Sequence, residues 1–283
     1  MTNFISEVSS NHHCDLERCF DFIKTSKEIG CQSVKFQLFK IDELFAPEVL
    51  NKSETHRNRK DWELPVSFLP ELKAECVNND ISFSCTPFYL NAVDELFPYV
   101  DYYKIASYEL PWNDLLIECA RTKKPVILST GMATLQEVEE AYAVLVKHGA
   151  TEITLLHCNS GYPTPISDAN LKAIETIRVA TGAKVGWSDH TVSPAVLYRA
   201  IHRYNAEVIE FHLDTDGLGD EFKHGHCWLP EQMRPVIATI NNGFLADGNG
   251  IKEPSPSEIS DRPWRADPAD GLRPTKATRL DFA

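Results

Sequence analysis

The chain has 283 residues, 43% of them hydrophobic, and a formal net charge of −13 at pH 7. This acidic balance argues against nucleic acid or an anionic membrane as the main partner, because both require a basic surface. No apolar run reaches about 18 residues and the chain enters a strand pattern at once, so we expect no membrane span, no signal peptide and a cytoplasmic location.

Short apolar runs alternate with helix-length stretches along almost the whole chain. The stretch 14–29 has near-helical apolar spacing with Gly30 placed to end it, and Thr134 with Glu137 forms a capping-box pattern. Eight repeats of strand and helix predict a closed parallel sheet, which is an α/β fold of the (β/α)8 TIM-barrel type. The predicted strands are residues 4–10, 33–39, 81–86, 101–107, 125–130, 153–158, 183–188 and 207–213.

Two segments depart from this alternation. Residues 40–64 form a long charged stretch, and two interpretations stay open for it, a solvated excursion over the barrel rim and a lid. Residues 251–283 are rich in Pro and Asp, which predicts an extended segment with little regular structure. We therefore predict a barrel domain over residues 1–250 and a C-terminal tail over residues 251–283.

Histidines stand at the ends of two consecutive predicted strands. His190 follows the seventh strand and His212 lies in the eighth. Neighbouring strands lie about 4.8 Å apart, so both imidazoles can reach one divalent ion. The alternative is a pair of hydrogen-bonded core histidines. In the next loop, His224 and His226 are weaker candidates for a further ligand.

Lys35 and Lys104 are isolated cations in apolar strands. A buried lysine is costly without an anion, so each is expected to contact a substrate phosphate or carboxylate, or to form a Schiff base. A salt bridge to Glu7 or Glu109 is the alternative. Hydroxyl and backbone N–H groups at neighbouring strand ends suit phosphate oxygens, and these belong to Ser107, Ser129-Thr130-Gly131 and Ser160.

Several of these segments together resemble the sialic acid synthase family, the N-acetylneuraminate synthase-like enzymes. The resemblance runs from about residue 4 to residue 240 and rests on SVKFQ, CTPF, YYKIASYEL, PVILSTGMATLQEVEEA, LLHCNSGYPTP, VGWSDHT and VIEFH. It implies a (β/α)8 barrel that condenses phosphoenolpyruvate with an acyclic aldose such as N-acetylmannosamine, releasing phosphate and forming a 2-keto-3-deoxy acid. It also implies a divalent metal, Mn or Mg, and a homo-oligomer, a dimer.

The resemblance implies roles for individual residues. His190 and His212 match the two metal ligands, and Glu109 matches an acidic residue near the metal-bound water. The expected catalytic residues are therefore Glu109, His190 and Lys104, while Glu7 and Tyr162 match positions beside the sugar. The positions around phosphoenolpyruvate are matched by Lys35, Thr86, Lys104, Ser107, Ser129, Ser160 and Ser188; the family often has Asn where Ser160 stands.

The sugar end departs from the family pattern. Members usually carry a small C-terminal antifreeze-like domain that supplies an arginine to the sugar N-acyl group, and no such domain is expected here. Lys223-His224 stands where the family has Asp-His. Two other functions stay open, a class I aldolase that uses Lys104 or Lys35 as its Schiff-base nucleophile, and a barrel that binds sugar or phosphate without turnover.

Overall fold

A computed structural model describes residues 2–282 and divides the chain into two compact units, residues 1–241 and 242–283. In the first unit, parallel strands pair in chain order, and β8 pairs back with β1, so the sheet closes into a barrel. The predicted (β/α)8 fold is confirmed. The strands are β1 Asn3–Glu7, β2 Ser33–Leu38, β3 Ser82–Pro87, β4 Tyr102–Ile105, β5 Val126–Ser129, β6 Ile153–Cys158, β7 Lys184–Asp189, β8 Val208–Leu213 and a short β9, Cys227–Trp228, beside β8.

The helices follow the strands as the apolar spacing predicts. Gly30 ends the first helix in the left-handed region at φ 103°, and the Thr134–Glu137 capping box is present. The helices are α1 Leu16–Ile29, α2 Ile41–Leu44, α3 Pro47–Leu50, α4 Glu54–Arg57, α5 Leu69–Asn78, α6 Leu90–Leu96, α7 Asn113–Arg121, α8 Leu135–Lys147, α9 Ala173–Thr181, α10 Pro194–Tyr204, α11 Asp220–His224, α12 Pro230–Ala246 and α13 Lys276–Arg279.

Strand β8 shows how the barrel positions polar groups. All six of its residues are buried. Successive side chains of a strand point to opposite faces, so Glu210 and His212 share one face while Phe211 lies on the other. Glu210 of β8 pairs with Lys104 of β4, which lies four strands away in the closed sheet, so this face points inside the barrel. The interior therefore carries charged groups at the carboxyl ends of the strands.

The stretch 40–64 consists of short helices rather than an open loop. It contains α2, α3 and α4, followed by a 3-10 helix at Asn58–Trp62. Ile41 and Leu64 are buried, and the Glu63 carboxylate accepts a hydrogen bond of 2.7 Å from the backbone N–H of Ile41. The stretch is thus packed at both of its ends. Within residues 2–282, no helix combines the length and the apolar character needed to cross a membrane.

The second unit contains short helical turns. Besides α13, it has 3-10 helices at Pro256–Glu258, Arg262–Trp264 and Leu280–Phe282. Arg279 donates to both carboxylate oxygens of Asp270, at 2.5 and 2.8 Å. The Asp267 carboxylate accepts hydrogen bonds from the backbone of Ala269 and Lys276. These bonds organise a segment for which the composition predicts an extended conformation.

Candidate active site

A cavity of about 610 Å³ opens at the carboxyl ends of the barrel strands. A larger cavity of about 930 Å³ lies at the opposite end of the barrel, where Ser33, Ser82 and Lys184 begin their strands. Active sites of (β/α)8 enzymes lie at the carboxyl ends, and the histidines line the smaller cavity, so we place the site there. The predicted residues that line it are Glu7, Lys35, Lys104, Ser107, Glu109, Ser129, Tyr162, Ser188, His190 and His212.

Two predicted residues lie beside this cavity without lining it. Lys35 Nζ donates to Thr86 Oγ1 over 3.2 Å, so Thr86 touches the site through the lysine. The Ser160 hydroxyl lies where a side chain at Gly131 would point, 2.3 Å from the Cβ position that an alanine would have there. The structure thus brings the predicted residues together, with these two behind the others.

The two buried lysines meet carboxylates at the base of the cavity. Lys35 forms an ion pair with Glu7, as the salt-bridge interpretation expects. Lys104 instead pairs with Glu210, its Nζ lying 3.1 Å from Oε1, and Lys35 Nζ lies 4.0 Å from the other oxygen of Glu210. Glu210 was absent from the predicted site. Its place is readable from the sequence, since it lies two residues before His212 on the same face of β8.

Burial and the neighbouring charges shift the pKa values of these groups in opposite directions. Burial lowers the pKa of Lys35 to about 7, although Glu210 opposes the shift. Burial alone would raise the pKa of Glu210, but the Lys104 and Lys35 charges outweigh it and lower the pKa to about 2. The carboxylate is therefore ionised, and the lysines are the cations available to an anionic ligand at this end of the cavity.

A set of small polar side chains surrounds Gly131. Ser107 Oγ accepts a hydrogen bond of 2.9 Å from the Gly131 N–H and lies 3.1 Å from Cys158 Sγ. The hydroxyls of Ser129 and Ser160 are buried and have no hydrogen-bond partner among residues 2–282. Buried hydroxyls normally have partners, so these donors are free for a ligand oxygen. Beside the two lysines, they suit an anion.

Each histidine uses its Nδ1 in a hydrogen bond, and among residues 2–282 its Nε2 has no hydrogen bond. His190 Nδ1 donates to the Asn159 carbonyl over 2.7 Å, and His212 Nδ1 donates to Glu221 Oε2 over 2.7 Å. Burial lowers the pKa of His190 to about 3, and the neighbouring His212 adds to the shift, so its Nε2 lone pair is unprotonated. The ring centroids lie 5.3 Å apart. Metal-binding histidines usually donate their second nitrogen in this way, so the pair fits a divalent ion.

The loop after β8 supplies Glu221 and His226 to the site. Glu221 accepts hydrogen bonds from His212 and from the Ser9 and Ser10 hydroxyls. Burial opposes ionisation of Glu221, but its interactions with His212, His226 and Ser9 outweigh burial and lower its pKa well below the ordinary range. A ligand atom from each of His212, Glu221, His226 and Cys227 lies within 4.8 Å of the others.

The structure shows which of the two candidate histidines, His224 and His226, reaches the cavity. His226 is buried and lines the cavity, with its Nε2 3.6 Å from Glu221. His224 is exposed, and its Nδ1 lies 2.6 Å from the backbone oxygen of Asp220. Lys223 pairs with the side chain of Asp220 and is exposed as well. Lys223 and His224 therefore lie outside the cavity, and the residues that reach it from this loop are Glu221 and His226.

Glu109 and Tyr162 complete the lining. The Oε2 atom of Glu109 is buried without a hydrogen-bond partner in the described chain. Burial raises the pKa of Glu109 to about 7, while Lys104 opposes the shift, so the group can gain or lose a proton near neutrality. The half-exposed Tyr162 ring packs 4.2 Å from the His190 ring and 5.1 Å from that of His226, centroid to centroid.

The sequence is similar to those of two synthases from one species. The N,N'-diacetyllegionaminic acid synthase of Campylobacter jejuni is 34% identical over 91% of this chain and 80% of its own length. The pseudaminic acid synthase of the same species is 30% identical over 87% of this chain and 75% of its length.

A solved structure and a family profile point in the same direction. The crystal structure of N-acetylneuraminic acid synthetase from Leptospira borgpetersenii aligns with a TM-score of 0.81 at 28% identity, over 92% of this chain and 90% of that one. The sequence profile of the NeuB family matches residues 22–252, which is most of the chain. The chain belongs to the NeuB family.

Proposed function

We propose that this protein condenses phosphoenolpyruvate with an aldose related to N-acetylmannosamine, giving a 2-keto-3-deoxy acid of the nonulosonic type and phosphate. One observation carries the proposal: a single cavity is lined by two buried lysines, by the unpartnered hydroxyl of Ser129 and by two imidazoles whose Nδ1 atoms are fixed by hydrogen bonds. The names of the relatives, which are synthases of such acids, support it.

In this proposal the lysines and the hydroxyls bind phosphoenolpyruvate. Lys35 and Lys104 neutralise phosphate and carboxylate, and the hydroxyls of Ser129 and Ser160 with the turn at Gly131 donate to phosphate oxygens. Fixing this substrate positions its C3 atom toward the acceptor aldehyde, so that little reorganisation is needed for attack. The bond between C2 and the bridging oxygen breaks later, and phosphate leaves with that oxygen.

The part of the cavity around the histidines binds the acceptor aldehyde. His190 and His212 would bind the divalent ion, Mn or Mg, and such an ion when bound supplies Lewis-acid polarisation of a carbonyl. Glu221 orients His212 through its hydrogen bond. Glu109, whose pKa is raised to about 7, can donate a proton to the alkoxide that forms from the aldehyde or accept one from the water that adds to C2.

Phosphate release tests this proposal. The protein is incubated with phosphoenolpyruvate, Mn²⁺ and a panel of aldoses, and released phosphate is measured. We expect release that requires an aldose. Lys104→Ala should weaken phosphoenolpyruvate binding far more than aldose binding, because only the anion needs that charge, whereas the exposed Lys223→Ala should behave as wild type. Equal losses for both substrates would contradict the assignment.

A Schiff-base aldolase is the second candidate. The lowered pKa of Lys35 favours it, since a neutral amine is the nucleophile in that chemistry. The ion pair of Lys35 with Glu7 and its bond to Thr86 weigh against it, because they engage the amine. Borohydride added in the presence of pyruvate decides: a covalent adduct on Lys35 or Lys104 supports the aldolase, and its absence supports the condensation.

A further inference from the structure

The 40–64 stretch brings a third basic side chain to the candidate active site. Arg59 lines the cavity together with Leu44 and Phe45. Its guanidinium carbon lies 5.6 Å from the ring centroid of Phe45 and 5.5 Å from that of Trp62. These contacts fix the group against aromatic rings, which attract a cation without neutralising it.

Arg59 has one buried donor that residues 2–282 leave without a partner. This donor is Nε. Lys35 and Lys104, the lysines of the same cavity, are both paired with carboxylates, and Arg59 forms no such pair within residues 2–282. A buried donor without a partner is costly, so its place in a cavity wall indicates that a ligand atom completes it.

The surroundings of Arg59 restrict what that ligand atom belongs to. The Phe45 and Trp62 rings lie beside the guanidinium, and Leu44 lines the same cavity. A phosphate here would turn oxygens toward Leu44 and Phe45, whose side chains have no donor for them. An acylamino group fits both features, because its carbonyl oxygen accepts a hydrogen bond and its alkyl end packs against the apolar wall.

We propose that Arg59 is a specificity-determining residue that donates to the carbonyl oxygen of an acylamino substituent on the acceptor. This assignment rests on the proposed condensation. It gives the 40–64 stretch a function in acceptor recognition. It also separates the two substrates, since phosphoenolpyruvate contacts the lysines at the base of the cavity and the acceptor contacts the arginine.

Paired acceptors test the assignment. One aldose carries an acylamino group, and the other carries a hydroxyl at the same carbon; kcat/KM is measured for both with saturating phosphoenolpyruvate. For Arg59→Met we expect about a 10- to 100-fold loss with the acylamino aldose, little change with the hydroxyl aldose and an unchanged KM for phosphoenolpyruvate. Lys60→Met is the matched control, because Lys60 is the exposed neighbour and pairs with Asp42.

Three outcomes would overturn the assignment. They are equal losses with both aldoses, no loss with either, or a selective loss with a phosphorylated acceptor, which would make the guanidinium a phosphate ligand. If Arg59→Met melts at a lower temperature than wild type, Arg59→Lys replaces it, since lysine keeps the charge but lacks the Nε donor. The lysine variant should lose the same discrimination.

Direct binding separates this inference from the proposed function. If wild type turns over no aldose, the condensation is wrong, and calorimetric titration of the two aldoses still tests Arg59. Tighter binding of the acylamino aldose to wild type, lost in Arg59→Met, would support the inference without the reaction. Absent binding, or equal binding to both proteins, would overturn it.

Discussion

Each of the two site histidines has its Nδ1 fixed by a hydrogen bond, and Glu221 accepts the bond from His212. A carboxylate behind a ligating histidine orients the ring and raises its basicity, and its loss typically weakens metal binding by about 10- to 100-fold. We predict a loss of this size for Mn²⁺ binding to Glu221→Gln, measured by calorimetric titration. His224→Ala is the control because that ring lies outside the cavity. Indistinguishable affinities in the two variants would contradict a metal at His212.

The raised pKa of Glu109 predicts that the free energy of unfolding depends on pH. Its pKa is raised by burial from 4.5 to about 7 in the folded protein. Between these values the folded protein retains a proton that the unfolded chain has released, so the free energy of unfolding falls as pH rises through this range. The fall attributable to this group is on the order of 3 kcal/mol.

The side chain of Glu109→Gln cannot ionise. The variant should therefore lack the part of the decrease in the free energy of unfolding that Glu109 causes. Urea unfolding at pH 5 and pH 8 measures it in both proteins. We expect the stability of wild type relative to the variant to be greater at pH 5. A difference between them that stays constant with pH would show that Glu109 is ionised in the folded state across the whole range.

The sequence predicts some of these residues better than others. Lys35 and Lys104 stand out because a cation inside an apolar strand has few explanations, and His190 and His212 because they end neighbouring strands. Glu210 could have been predicted from its spacing to His212. Glu221 could not have been predicted in this way. It lies in the short helix α11 after β8, and no hydrophobic period in the sequence indicates where such a short segment places its side chains.

At the scale of elements, the turn after β5 brings Gly131 against three side chains. A Cβ at this position would lie 2.3 Å from Ser160 Oγ and 2.9 Å from both Cys158 Sγ and Ser107 Oγ. Gly131→Ala should therefore displace these groups and weaken phosphoenolpyruvate binding by at least about tenfold, measured by calorimetry.

A second glycine provides the control. Gly182 ends α9 at φ 70° with open space around its Cβ position. Gly182→Ala should lower the free energy of unfolding by about 1 kcal/mol without changing phosphoenolpyruvate affinity, since only backbone strain is introduced. Loss of affinity in both variants would mean that general destabilisation, rather than the turn, causes the effect.

The predicted and observed boundaries of a strand agree where a continuous buried run defines the strand. Strand β8 was predicted over 207–213 and spans Val208–Leu213, because a continuous apolar run is buried on both faces. Strand β1 was predicted over 4–10 and ends at Glu7, since the chain turns at Ser9, whose φ is 51°. Such a turn depends on contacts distant in sequence, here the bond from Ser9 to Glu221.

The 40–64 stretch is a longer segment whose structure the sequence pattern does not predict. Its short helices depend on single bonds, such as the Ser53 hydroxyl accepting from the His56 N–H at the start of α4. Pattern analysis detects amphipathic helices of ten or more residues and misses turns of four. The placement of Leu44, Phe45 and Arg59 in the cavity wall favours a role at the site over a merely solvated excursion.

At the scale of the whole molecule, every residue assigned to the site lies in the first unit. We therefore predict that a chain ending at residue 254 retains its affinity for both substrates, measured by calorimetry, and melts with a cooperative transition. A selective loss of aldose affinity would instead assign acceptor recognition to Arg262, Arg265 or Arg273. Loss of the cooperative transition would give residues 255–283 a structural role.

The proposed condensation joins phosphoenolpyruvate to an aldose in one cavity. Carbon-13-labelled phosphoenolpyruvate is incubated with the protein, Mn²⁺ and an acylamino aldose, and the products are followed by mass spectrometry with a phosphate assay. We predict a labelled 2-keto-3-deoxy acid whose mass equals phosphoenolpyruvate plus aldose and water minus phosphate, formed in a 1:1 ratio with phosphate. Two results would contradict this reaction. One is phosphate release that gives free labelled pyruvate and leaves the aldose without label, and the other is no product with any aldose.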